Sequence, residues 1–447
     1  MELPKLFLES IDAAKGFNRT AFEEVHRLSE RITSIRINAA KFSEKDNHFQ
    51  LHNKVPWAQA GYYLQERPSF TFDPLFHAGC YYVQEASSMF LEQAVKQLVD
   101  LSKPLKALDL CAAPGGKSTH LLSLISNESL LVSNEVIRSR LNVLNDNIVK
   151  WGNDNVIISN NDARSFQQLK NYFDLIVVDA PCSGSGLFRR NETAIDEWSL
   201  NNVNLCSGRQ QRILADVLPA LKENGILIYS TCSYSQKENE EIGNWLENEL
   251  EMKHETLKLK EDWGIVETEF GYRFWPDRLK GEGFFLGCFR KINTKIETES
   301  YNKTKRPKLE KINNEFLKSW LQSDEFIFFQ QNQNIHAINS NHFSEIDFLM
   351  TKLRIENVGI KMGMQMKRNL IPDHALAMSN FVSNEVAKLE LDFEQAIQYL
   401  KKEEVKINEA EKGWKLATFK GHNLGWINVL EKRINNYYPK ALRILKN

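Results

Sequence analysis

Between residues 80 and 290, short apolar runs alternate with longer stretches whose apolar residues recur at helical spacing. The runs are KALDL, LLVSN, NVIIS, DLIVVDA, GILIYST and GFFLGCF, several of them rich in β-branched residues. The stretches between them include STHLLSLIS, RSRLNVLNDNIVKWG, SGRQQRILADVLPALKENG and KENEEIGNWLENEL. Strands separated by helices of this length predict right-handed parallel crossovers, and so a doubly wound, mostly parallel Rossmann-like α/β sheet over residues 76–290. YYVQEASSMFLEQAVKQLV is expected to be a helix leading into the first strand.

The flanks follow other patterns. LFLESIDAAKG and TAFEEVHRLSE carry helical periodicity. RITSIRINAA alternates, with Ile32, Ser34, Arg36 and Asn38 on one face and Thr33, Ile35 and Ile37 on the other, which predicts a short strand. Residues 1–75 are therefore expected to form a small α+β domain. Residues 291–311 lack a packable face and are rich in Lys and Arg, as a solvated basic linker would be. Globular patterning resumes over 312–390. Over 391–447, Gly413, Trp414, Gly421, Gly425 and Trp426 punctuate short strand-like runs, predicting a small β-rich module.

The 447 residues carry 57 basic and 58 acidic side chains, a balance that neither announces nor excludes a polyanionic partner. Distribution changes that picture. From Lys412 onward there are eight Lys or Arg (412, 415, 420, 432, 433, 440, 443, 446) against the single acid Glu431. The six cysteines, Cys80, Cys111, Cys182, Cys206, Cys232 and Cys288, form no CxxC pair and no zinc-like cluster, so no metal site is expected and a reducing compartment is. No apolar run reaches membrane-spanning length, and the N-terminus lacks a signal-type core. A cytoplasmic monomer without membrane association is the expectation.

LDLCAAPGGKSTH carries the strongest local chemistry. Asp109 and Leu110 close a strand, Cys111, Ala112, Ala113, Pro114, Gly115 and Gly116 make a tight turn, and Lys117 opens a helix. Glycines let backbone approach a ligand, and strand C-termini are where doubly wound sheets bind one. The spacing is neither GxGxxG nor GxxxxGK[ST], which argues against ATP. The next two strands end near Glu135 and Asp162. An acid at the first position can accept ribose hydroxyls, and one at the second can read an adenine amino group. Any one acid alone could be a solvated loop residue, but three strand ends in succession suit a nucleoside cofactor.

DLIVVDAPCSGSG puts Asp179 and Cys182 at the mouth of the fourth strand, and GILIYSTCSYSQKENE puts Cys232 at the mouth of the next. A lone cysteine near a strand is more often a small core residue. Two at neighbouring strand ends are expected to face one crevice. A thiolate there could add to C6 of cytosine and make C5 nucleophilic toward a sulfonium methyl.

At these residues the chain resembles the NOL1/NOP2/Sun family of RNA cytosine-C5 methyltransferases, in particular its bacterial 16S ribosomal RNA branch with a C-terminal extension. CAAPGGKS resembles the family's cofactor loop, DAPCSGSG its PC motif and STCSYSQKENE its TC motif. SIRIN, YYVQEASSM, PDHALAM and LGWINVLEKRINNYYPKALRI extend the resemblance over nearly the whole chain. The resemblance implies Cys232 as nucleophile and Cys182 as the thiol that helps resolve the adduct. It implies S-adenosylmethionine contacts at Cys111–Lys117, Glu135, Asp162 and Asp179, with Asp179 also near the target base. It implies an RNA-contacting N-terminal domain over residues 1–75, a PUA-like RNA-binding module at the C-terminus and small-subunit ribosomal RNA, free or in the assembled subunit, as partner. A transfer-RNA cytosine methyltransferase and a non-catalytic assembly factor are the alternatives. An adenine amino-methyltransferase would want DPPY or NPPY where this chain has APC.

Several nearby residues admit two readings. Lys117 could touch cofactor or nucleotide, or face solvent. Arg189 and Arg190 could grip an RNA backbone or be a solvated pair. Arg209 could line the site, and Phe188, Trp414, Trp426, Tyr437 and Tyr438 could stack on bases or pack a core.

Overall fold

The computed structural model describes residues 3–28, 30–42, 51–292, 309–331, 333–366, 369–405, 411–431 and 433–445. Most of the expected linker (293–308), Lys432 and Lys446 therefore lie outside the described residues.

The N-terminal strands β1 (Ser34–Ile37), β2 (Leu51–Lys54), β3 (Gly61–Leu64) and β4 (Tyr81–Val83) form an antiparallel sheet in the order β2-β3-β1-β4. The expected long helix over 81–98 is thus divided. Tyr81–Val83 completes this sheet by pairing with β1. The Glu85 carboxylate then accepts from the Ser87 and Ser88 amides, and the α-helix begins only at Leu91. Tertiary pairing and a local acceptor override the periodicity.

The central sheet contains β5 (Lys106–Asp109), β6 (Leu130–Asn134), β7 (Val156–Ser159), β8 (Phe173–Asp179) and β9 (Leu221–Thr231), parallel in the order β7-β6-β5-β8-β9. Leu175 and Val177 of β8 pack on one face and Ile176 and Val178 on the other, all fully buried. Burial on both faces is why these strands read as unbroken apolar runs. Each such side chain contributes about 2 kcal/mol. β9 starts earlier than the expected helix allows. Pro219 closes the preceding helix, and Leu221 already pairs with Phe173. Beyond β9 the sheet turns antiparallel through β10 (Met252–His254), β11 (Val266–Glu267), β12 (Tyr272–Phe274) and β13 (Phe284–Lys291).

The C-terminal part builds a sheet of β14 (Lys311–Ile312), β15 (Phe326–Gln331), β16 (Asn334–Asn339), β18 (Ile360–Met366) and β19 (Asn369–Pro372). The intervening β17 (Ile355–Val358) pairs antiparallel with β7 and so extends the central sheet. A last sheet joins β20 (Lys388–Glu390), β21 (Gly413–Phe419), β22 (His422–Val429) and β23 (Ile434–Asn436) beside the helix Phe393–Lys401. Its core is shared with the N-terminal sheet. Tyr399, Leu400 and Ile427 pack in one cluster with Ile35, Ile37 and Tyr81. Among the described residues no helix is long and apolar enough to cross a membrane.

The polar face of β1 does not meet solvent. Arg36 is 1% exposed and donates to Gln84 Oε1 (2.8 Å), Thr119 Oγ1 (2.7 Å), Ser123 Oγ (3.2 Å) and Gly116 O (3.3 Å). Its guanidinium also lies 4.5 Å from the Trp151 ring centroid, and burial pushes its pKa down to about 9. Asn38 bonds to Gly79 O and Trp151 O. The N-terminal domain is thereby bolted to the helix Gly116–Leu124.

Arg36→Ala is expected to lower stability by about 3 kcal/mol, because several buried acceptors lose their donor. Urea denaturation would show the drop, and Arg36→Lys should recover little of it because a point charge lacks the guanidinium fork. A variant as stable as the parent would remove Arg36 from this role.

Candidate active site

Winding reverses at β5: the chain runs outward through β6 and β7, then returns to place β8 on the other side. The crevice at the C-terminal ends of β5 and β8 is the expected ligand position of such a sheet. The loop after β5 is pinned there, with Leu110 N donating to Val177 O and Ala112 N to Asn134 O. Gly115 has φ 113°, a left-handed conformation that glycine supplies without strain, and it turns the chain into the helix Gly116–Leu124. Arg140 donates to Ala113 O, Asn147 to Pro114 O (2.8 Å) and Arg36 to Gly116 O, so the loop is held from three sides.

Beneath the loop, Asp109 is fully buried. Its Oδ2 accepts from Ser118 Oγ (2.6 Å), which in turn accepts from Ser133 Oγ (2.9 Å), while Oδ1 has no hydrogen-bond partner. Burial, opposed by Ser118 and Lys117, pushes the Asp109 pKa up to about 7. Burial also raises the Cys111 thiol, with Asp109, Glu135 and Asp179 adding to it, so Cys111 stays protonated. Glu135 is 2% exposed. Its Oε1 accepts from Ile137 N (2.8 Å), and its Oε2 lies 3.4 Å from Arg140 without a hydrogen bond. Asp162 caps a short 3-10 turn through Arg164 N and lies 3.5 Å from Arg212.

Asp179 joins the two halves of the site. Its Oδ2 pairs with Lys117 Nζ at 2.7 Å, and its Oδ1 accepts from Ser230 Oγ at 2.8 Å. Lys117 therefore faces the crevice rather than solvent.

Because β8 and β9 are parallel neighbours with Asp179 opposite Ser230, their exit loops leave side by side. The sulfurs of Cys182 and Cys232 are 2.7 Å apart, and both residues are half-buried free cysteines. The hydrogen bond to Cys232, reinforced by burial, raises the Cys182 thiol. Glu238, buried below both loops, fixes this contact. Its carboxylate accepts from Ser183 N (2.8 Å), Ser183 Oγ (2.5 Å), Ser233 Oγ (2.6 Å) and Gln210 Nε2 (3.2 Å). Each cysteine is followed by a serine that reaches the same carboxylate.

Other expectations change. Arg189 is buried and donates to Glu282 (3.0 Å) and Gly281 O (2.6 Å), so it cannot reach an RNA backbone or solvent. Phe188 packs edge-on against Phe7 at 5.0 Å, and Trp426 and Tyr438 are core residues. Trp414 and Tyr437 meet at 4.4 Å, with Tyr437 partly exposed, and Arg190 and Arg209 are exposed. Sequence reasoning missed Glu238, Arg36 and Arg140. The repeated Cys-Ser of the two loops was the available signal for a shared acceptor.

Three family models match the chain. They describe the 16S rRNA methyltransferase RsmB/F (residues 97–290), the N-terminal domain of 16S rRNA methyltransferase RsmF (3–86) and the methyltransferase RsmF PUA domain (386–444). Ribosomal RNA small subunit methyltransferase F of Psychromonas ingrahamii is 30% identical over 98% of this chain and 97% of that protein. Its counterpart in Aeromonas salmonicida is 30% identical over 98% and 97%. Among solved structures, a methyltransferase homologue from Pyrococcus horikoshii superposes with TM-score 0.55 and 30% identity, covering 65% of this chain and 95% of that one. The fold also matches NSun6 from Pyrococcus horikoshii with SFG, at TM-score 0.54 and 19% identity over 65% of this chain and 99% of that one.

Two outcomes follow from the buried carboxylates. Glu238→Ala should reduce methyl transfer on the order of 100-fold while leaving the chain folded by circular dichroism, because the thiols lose their common anchor. Unchanged turnover would show that the loops hold themselves. For Asp109 the folded pKa of about 7 exceeds the ordinary 3.8. Its contribution is full below the unfolded value and is lost as pH rises through about 7. Between pH 4 and 7.5 the parent should therefore lose thermal stability relative to Asp109→Asn, and parallel curves for the two would refute this.

Proposed function

The chain belongs to the RsmF family of 16S ribosomal RNA methyltransferases, and we propose that it methylates C5 of a cytosine in small-subunit ribosomal RNA through a covalent bond from Cys232 to C6. The observation that carries this reading is the contact between the Cys182 and Cys232 sulfurs, in the loops that follow the paired Asp179 and Ser230. C5 of cytosine attacks an alkyl donor poorly, and a thiolate at C6 makes it enamine-like. Amino-group methylation would need no second thiol on the neighbouring strand.

Cys232 is the nucleophile in this reading, because it stands in STCSYSQKENE, the motif that resembles the family's TC motif. S-adenosylmethionine supplies the methyl group when bound. Cys111–Lys117, Glu135, Asp162 and Asp179 would hold it, and the buried, unpartnered Glu135 Oε2 suits an incoming ribose hydroxyl. Asp179, steadied by Lys117 and Ser230, would face the N3/N4 edge of the base. Cys182, against the attacking sulfur, assists release of Cys232 once the C5 proton has gone. The target base must leave its stack to reach these groups, and the basic β-rich module at 391–447 would position the surrounding RNA.

Labelled S-adenosylmethionine with naked small-subunit RNA, assembled small subunits and transfer RNA provides the test. 5-Methylcytosine is expected in the ribosomal substrates. Cys182→Ala should accumulate a protein–RNA adduct. Cys232→Ala should form none and lose activity on the order of 10³-fold or more. Full activity in Cys232→Ala would overturn the choice of nucleophile, and no labelling of any RNA by the parent would overturn the reaction.

A further inference from the structure

A cavity of about 160 Å³ lies where the N-terminal sheet meets the loop that starts at Cys182. Three chain segments bring an arginine to it: Arg31 just before β1, Arg67 just after β3, and Arg190 at the end of the thiol loop. All three are exposed, and among the described residues none forms an ion pair. The acids in its wall are already committed. Glu85 accepts from the amides of Ser87, Ser88 and Glu282, and Glu282 accepts from Arg189. Thr33 is 5% exposed, lines the same cavity, and its Oγ1 has no hydrogen-bond partner. The lining thus offers three guanidinium groups without a carboxylate partner, that of Arg67 lying 5.3 Å from the Phe70 ring centroid, and one spare hydroxyl, a set that suits an anion rich in acceptors.

A second opening adjoins the cavity. A groove of about 430 Å³ shares Arg67 and Val83 with the cavity and continues past Phe70, Phe76 and Tyr82 to Asn147. Asn147 bonds the Pro114 carbonyl of the cofactor loop, and the Tyr82 ring lies against Gly116. The path therefore runs from the thiol loop to the cofactor loop, with aromatic rings following the cationic cavity. A free phosphate needs only the cavity, whereas consecutive nucleotides need cations for phosphate and rings for bases.

We propose that Arg31, Arg67, Arg190 and Thr33 form a phosphate subsite for the RNA strand carrying the target cytosine, and that the neighbouring groove takes the adjoining nucleotide. The subsite rests on the RNA-methyltransferase reading and specifies where the substrate strand enters.

Binding of naked small-subunit ribosomal RNA to the full chain, measured against salt, tests it. The triple variant Arg31→Gln/Arg67→Gln/Arg190→Gln should raise Kd about tenfold or more and reduce the log–log salt slope by about 1, the change for one neutralised phosphate. Thr33→Val should weaken binding without changing the slope, while its circular dichroism and urea midpoint match those of the parent. In a short cytosine-containing oligonucleotide, one methylphosphonate beside the target should weaken binding to the parent but not further weaken the triple variant. Unchanged Kd and slope in the triple variant, while the parent still methylates RNA, would overturn the subsite and leave the reaction standing. The expected slope change in a protein that never methylates would keep the subsite and remove the reaction. Protection by inorganic phosphate alone, with RNA binding unaltered in the variants, would make this a free-anion site and overturn the proposal.

Discussion

The Glu238 carboxylate ties two adjacent strand ends into one cluster. Parallel pairing of β8 and β9 delivers the loops of Cys182 and Cys232 side by side, but pairing ends at Asp179 and Ser230, short of either thiol. What brings the sulfurs together is a buried anion that accepts from both following serines. An anion in that position is costly unless its lone pairs are filled. The protein fills them with the two loops themselves, so relaxing either loop would uncover charge. Outside this anchor, Phe7 and Phe22 of the first two helices pack on Phe188 and Tyr234, one from each loop, and Tyr234 stacks on Trp275. The N-terminal segment is thus part of the wall of the site.

The same logic of occupied polar groups joins the domains. Arg36 spends its donors on the helix behind the cofactor loop. Lys41 donates to the carbonyls of Ala78, Lys150 and Met378, three segments far apart in sequence, and burial pushes its pKa down to about 8. Both are cations without a carboxylate partner among those hydrogen bonds. Their acceptors are carbonyls, hydroxyls and an amide, which hold position without the steep directionless pull of an ion pair. A rigid frame of this kind suits a site whose cofactor loop and thiols must keep a fixed spacing.

Much of this was legible in the sequence because it depends on local pattern. Apolar runs such as DLIVV mark doubly covered strands, the glycines of CAAPGGKS mark a turn, and two cysteines at consecutive strand ends must emerge on one edge if the strands are parallel neighbours. What could not be read depends on contacts distant in the chain. Tyr81–Val83 looks helical until β1 is available to pair with it. Arg189 and Arg190 look alike in sequence, yet one is consumed by Glu282, nearly a hundred residues on, and the other stays open. Trp426 and Tyr438 look like stacking rings, but Trp426 fills a core with Leu317, Met362 and Leu376, and Tyr438 one shared with a domain some 350 residues earlier. Glu238 sits in a run of polar residues, and nothing local says that it turns inward.

The pairing of β17 with β7 changes what the C-terminal part is for. An edge strand of a parallel sheet presents a row of open backbone donors and acceptors, which invites a foreign strand. Here Ile355–Val358 closes that edge from beyond the basic segment. The extension is therefore structural mortar for the central sheet. Cutting the chain after the last strand of the central fold would leave β7 uncovered, and the shortened protein would be prone to self-association for reasons unrelated to RNA. During synthesis, too, the sheet stays unfinished at one margin until residues past 358 have emerged, so the chain completes its catalytic layer late.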